Sequence, residues 1–219
     1  MIAPVVGAVI GGLGGVAAEP LVRRLPAGIE DAAAQRDWTV RIRRPPVMEL
    51  VGLVLGLACG LRIGWTGSLV VALAMIVLLV PITFIDLSHR VIPNKLVLPG
   101  TVVALVLVAV VEPDALPAHA ISAAAAFVGF LLLALIYPAG MGLGDVKLAL
   151  MLGAFLGPSV FVATLVSFVA SAVPSLVIVA LRGRSGVKVA IPFGPFLAFG
   201  GVVAVLWGPA IAHWYLHRH

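Results

Sequence analysis

The chain alternates long apolar stretches with short polar punctuation. Hydrophobic runs with interspersed Gly and Pro fall at 1–18, 47–61, 69–85, 96–111, 118–137, 146–156, 159–181 and 195–212. None of them alternates apolar with polar positions, as the strands of a transmembrane barrel do. A helix needs about 20 apolar residues to cross the hydrocarbon core, with wide scatter. The pattern therefore predicts an all-α, polytopic transmembrane helical bundle with eight spans. Joining the short sixth run to the seventh across Gly157-Pro158 gives seven spans as the fallback. Gly and Pro are tolerated inside membrane helices, so they do not disqualify these runs.

Composition removes the soluble alternatives. The 219 residues are 62% hydrophobic and 11% charged, with mean hydropathy +1.21. Soluble domains are about 25% charged, and a soluble core of this length would leave too little polar surface. The run at 1–18 lacks the basic start of a secretory signal and reads as a retained span. The single cysteine, Cys59, lies in an apolar run and reads as a small buried hydrophobe.

The net charge of +5 is distributed as loop charge, so no nucleic-acid partner is expected. With eight spans, alternate loops hold 12 of the 14 Lys and Arg residues, and only Arg62 and Arg218 fall on the other side. The positive-inside rule makes those loops cytoplasmic and both termini non-cytoplasmic. Asp86 closes the third run and Asp145 precedes the sixth, so both land on the cytoplasmic face. The segment 19–46 mixes acids and arginines and has no cysteine. It reads as a short cytoplasmic loop of a single membrane domain covering 1–219.

An ionisable residue in or beside a span is costly, which makes each aspartate a functional-site hypothesis. Two neighbouring carboxyls do not both ionise cheaply; one keeps its proton while the other acts as base. Such a pair can activate a water and protonate a leaving amine, which is peptide hydrolysis without a metal. Taken singly, Asp145 reads as a helix N-cap and Asp86 as a solvated turn residue. Gly142 and Gly144 let backbone approach a substrate strand. Pro93 starts the fourth span. Pro192, Phe193, Gly194 and Pro195 make a stiff bend before the last span, either a wall beside the site or a plain turn. Lys147 either stabilises a carboxylate or snorkels to headgroups. The sequence has no H-E-x-x-H and no G-x-S-x-G, the signatures of metal and serine hydrolases.

Three blocks carry a family resemblance. F-I-D-L-S-H-R-V-I-P-N at 84–94, G-M-G-L-G-D-V-K-L at 140–148 and I-P-F-G-P-F-L-A-F-G at 191–200 resemble the type IV prepilin peptidases, intramembrane aspartyl proteases of the GxGD class. Presenilin-like proteases share G-x-G-D but pair it with Tyr-Asp and Pro-Ala-Leu. Here Ile85 precedes Asp86, and the late motif is P-F-G-P.

The resemblance implies a cytoplasmic-membrane endopeptidase with Asp86 and Asp145 as its catalytic pair. Its substrates would be prepilin or pseudopilin precursors, whose basic leader it removes at the cytoplasmic edge of the bilayer. Many members then N-methylate the new terminus with S-adenosylmethionine. Many also carry four zinc-binding cysteines in a cytoplasmic module; 19–46 has none, so no zinc is expected. The peptidase reaction itself implies no cofactor. Two rivals stand beside this reading: a proton-coupled transporter using Asp86 and Asp145 as relays, and an inactive pilus-assembly membrane factor. A transporter predicts acids near the bilayer midplane and repeated halves, whereas both acids here sit at one face and no repeat is visible.

Overall fold

In a bilayer every backbone polar group must be bonded within the protein, so apolar runs of this length form helices. The computed structural model describes residues 2–12, 47–138, 140–183 and 191–216; the 19–46 loop lies outside the described residues. Eight α-helices and no strand occur among the described residues. They are α1 (Ile2–Gly12), α2 (Val47–Ile63), α3 (Gly67–His89), α4 (Asn94–Val111), α5 (Leu116–Ile136), α6 (Leu143–Leu156), α7 (Val160–Arg182) and α8 (Gly194–Leu216). Four stretches, Gly67–His89, Asn94–Val111, Pro113–Ile136 and Leu143–Arg182, are long and apolar enough to cross a membrane. The chain is a multi-pass helical membrane protein.

The 40-residue stretch Leu143–Arg182 is a hairpin. Leu152 of α6 meets α8 at Gly201, and Ala163 of α7 meets the adjacent Gly200. A straight helix would hold residues 152 and 163 about 16 Å apart along its axis. The chain therefore reverses at the 3₁₀ turn Gly157–Ser159, and the sixth and seventh runs are separate helices. Gly157 has φ +55° and ψ −139°, a region essentially confined to glycine. A Cβ there would also lie 2.8 Å from the His119 ring, whose Nδ1 donates to the Ala154 carbonyl at 2.9 Å. Gly157→Ala is expected to destabilise the protein by about 1–3 kcal/mol, seen as a lower thermal midpoint in detergent.

Other close contacts set the remaining directions. Gly7 and Gly11 of α1 cross Gly56 and Gly52 of α2 backbone to backbone, the small-residue packing that lets membrane helices approach closely. Gly67 meets Val111, so α3 and α4 are antiparallel. Ala123 meets Gly153, and Leu79 meets Leu152's neighbour Gly201, so α5 opposes α6 and α8 opposes α3. Helix direction thus alternates along the chain. The main hydrophobic core surrounds α6, where Leu148, Ala149, Met151, Leu152 and Ala154 are fully buried. The end of the bundle holding the start of α6 also holds the end of α3 and the start of α8.

Candidate active site

Both aspartates lie inside helices rather than on loops. Helix α3 continues to His89, three residues past Asp86. Beyond it Arg90 takes a left-handed conformation, φ +55°, and its N–H bonds the Asp86 carbonyl at 2.8 Å. This cap turns the chain sharply into Ile92, Pro93 and α4. Helix α6 begins at Leu143, so Asp145 is its third residue and not its N-cap. The Asp145 N–H donates to the Gly142 carbonyl at 3.1 Å. In return the Gly142 N–H donates to Asp145 Oδ2 at 3.2 Å. The N-terminal N–H groups of a helix lack intrahelical partners, and this reciprocal pair uses the carboxyl to satisfy the chain just before them.

The solvated-turn reading of Asp86 is corrected by its burial. Asp86 is 5% exposed and Asp145 is 9% exposed. Asp145, in the first turn of α6, lies at the end of the bundle that holds Asp86 in the last turn of α3. Gly194, the first residue of α8, packs against the Asp86 carboxyl. Asp86 Oδ2 is buried with no hydrogen-bond partner among the described residues. A buried carboxyl oxygen without a partner is costly in a merely structural role.

The other residues picked from the sequence divide by position. A Cβ on Gly194 would lie 2.5 Å from Asp86 Oδ2 and 3.0 Å from Cγ. One on Gly144 would lie 3.0 Å from Ile92 Cβ, and one on Gly142 only 3.5 Å from Asp145 Oδ2, an ordinary contact. The spatial demand therefore ranks Gly194 above Gly144 and Gly144 above Gly142. Gly142→Ala is expected to leave the thermal midpoint in detergent within a few degrees of the parent, while Gly144→Ala, which presses α6 away from Ile92, costs about 1–3 kcal/mol of stability; thermal unfolding checks both.

Pro93 is fully buried and caps α4. Lys147 donates to Asn94 Oδ1 at 3.0 Å, tying the start of α6 to the start of α4. Neither reading made for Lys147 anticipated that partner, and Asn94 carried no signal beyond its place beside Pro93. Pro192, Phe193 and Pro195 flank the Gly194 contact. Phe193 also packs on Phe168 and Phe130, two residues in apolar runs that no sequence signal connects with the site.

A model of the type IV leader peptidase family matches residues 72–179. The chain is 34% identical over 179 residues to the prepilin leader peptidase/N-methyltransferase of Legionella pneumophila, covering 79% of this chain and 62% of that protein. The protein of the same name from Aeromonas hydrophila is 36% identical over 188 residues, covering 79% and 61%. The one from Bacillus subtilis (strain 168) is 31% identical over 175 residues, covering 78% of this chain and 69% of that protein. The chain belongs to the type IV leader peptidase family. It spans about three-fifths of the length of the Legionella and Aeromonas relatives. No solved structure matches the chain. The range matched by the family model holds Asp86 and Asp145 and ends before the 192–195 turn, whose Gly194 meets Asp86.

Proposed function

We propose that this chain is a membrane-embedded aspartic endopeptidase that removes the basic leader from type IV prepilin-like or pseudopilin precursors. The reading rests on one observation: two buried carboxyls, from the last turn of α3 and the first turn of α6, lie at one end of the bundle. Asp86 and Asp145 share the work. One carboxylate takes a proton from a water as it attacks the scissile carbonyl; the other, protonated, delivers its proton to the leaving amine. The protons belong to the pair as a unit. No resident metal enters this chemistry.

The topology proposed with it has eight spans, both termini non-cytoplasmic and the site facing the cytoplasm from the cytoplasmic membrane. The alternating helix directions and the charge of the loops support that orientation. The precursor's apolar segment then lies in the bilayer beside α3 and α6, with its leader at the aspartate end. The relatives' shared name includes N-methyltransferase, and S-adenosylmethionine-dependent methylation of the new terminus is proposed as the second activity.

One assay addresses both activities. Purified protein is incubated with a candidate precursor, with and without S-adenosylmethionine, and product masses are read. Loss of the leader mass without any added cofactor is expected, with a methyl increment only when S-adenosylmethionine is present. An intact precursor after incubation with folded protein, across a panel of prepilin and pseudopilin sequences, overturns the peptidase reading.

A further inference from the structure

We propose that Phe130 and Phe168 are positioning residues for Asp86, acting through Phe193 and Gly194. The proposal rests on the peptidase reading above, and neither phenylalanine is on a helix that carries an aspartate. The argument begins at the cap of α8. The Phe193 carbonyl accepts from the N–H groups of Phe196 and Leu197, each at 3.0 Å, so Phe193 is the residue from which α8 starts. Its ring lies 5.4 Å from that of Phe168 on α7 and 6.3 Å from that of Phe130 on α5, centroid to centroid. Phe130 and Phe168 stack at 5.9 Å and 21°. These separations fall within the range where aromatic pairs attract in offset or tilted geometry. Three rings from three elements thus grip the cap of one helix.

The next residue makes that grip chemical. Gly194, the first residue of α8, packs directly against the Asp86 carboxyl. Its missing Cβ leaves no slack, because a methyl there would sit 2.5 Å from Asp86 Oδ2. Farther along, Gly200 touches the α7 backbone at Ala163, and Gly208 meets Ser159. Those contacts hold the body of α8 and leave tilt of its first turn as the freedom to be removed. Phe130 is 3% exposed and Phe168 is 38% exposed, so the cluster has a covered base and an open rim. Trimming the rim ring loosens the cap without hollowing the bundle core.

The experiment compares Phe168→Ala and Phe168→Leu with the parent protein and Asp86→Asn, measuring kcat and KM for precursor cleavage and the thermal midpoint in detergent. Phe168→Ala is expected to lower kcat about tenfold with KM within about twofold, since small misplacements of catalytic groups act on the transition state. Phe168→Leu is expected to recover at least half of that loss, in logarithmic terms. Unchanged kcat, a rise in KM alone, or a loss that only follows the fraction of folded protein overturns the proposal. If Phe168→Ala does not fold, Phe168→Leu together with Phe130→Leu decides on the same criteria. A parent protein that cleaves nothing rejects the peptidase reading, whereas an active parent with an equally active Phe168→Ala rejects only the positioning role.

Discussion

Asp86→Asn and Asp145→Asn are each expected to reduce precursor cleavage by at least about 10⁴-fold while leaving the protein folded in the membrane. General acid–base assistance is worth about 10²–10⁴ per group, and a pair that shares one proton loses both roles when either member stops titrating. The double variant should therefore be no worse than either single one, as for other catalytic groups that act as a unit. Asn preserves the shape of the side chain. At position 145 its carbonyl oxygen still accepts the Gly142 N–H that Oδ2 accepts at 3.2 Å, so the start of α6 keeps its cap. Single-turnover cleavage in detergent, with the thermal midpoint measured on the same samples, checks the pair. Cleavage by Asp145→Asn within tenfold of the parent would remove that residue from the mechanism.

Gly194→Ala carries the second large effect, of a different kind. The new methyl would press on the Asp86 carboxyl, 2.5 Å from Oδ2 and 3.0 Å from Cγ. The clash falls on the end of a side chain rather than on backbone, so the carboxyl turns away and the helices stay in place. Alanine is also the better helix former, and position 194 is already the first residue of α8. A displacement of the order of 1 Å costs about 10²-fold in rate. The expected result is a fall in kcat of that size with the thermal midpoint within a few degrees of the parent. An enzyme as active as the parent would show that Asp86 does not need the space at Gly194. Wholesale loss of folded protein would make the contact structural.

The elements and their order were legible in the sequence. Eight apolar runs became eight helices in the same order, because a chain in hydrocarbon has no other way to satisfy its backbone. Boundaries were less legible at the two places that matter for chemistry. The runs ending at 85 and starting at 146 left Asp86 and Asp145 outside them, yet α3 ends at His89 and α6 begins at Leu143. Hydropathy stops at a charge, whereas a helix stops where its hydrogen bonds find another partner, here the left-handed Arg90 and the Gly142 cap. Lys147 shows the same limit. Its charge was plain, but its bond to Asn94 joins residues 53 positions apart.

Faces were not legible at all. Val97 is fully buried and Val110 is 76% exposed on the same helix. In water that contrast would be written as apolar against polar; in lipid both faces can be valine, and small residues and shape decide which one packs. The sequence by itself determined that this chain is a membrane helical bundle, that two acids stand out in it, and which family its motifs resemble. Tertiary structure alone decided that the chain reverses at Gly157, that α8 returns to set Gly194 against Asp86, and that Phe130 and Phe168 reach the cap of α8. The physical reason is range. Helix formation and the cost of a charge in lipid are local properties of composition, while the contacts that shape the site join residues far apart in sequence, and no periodicity records them.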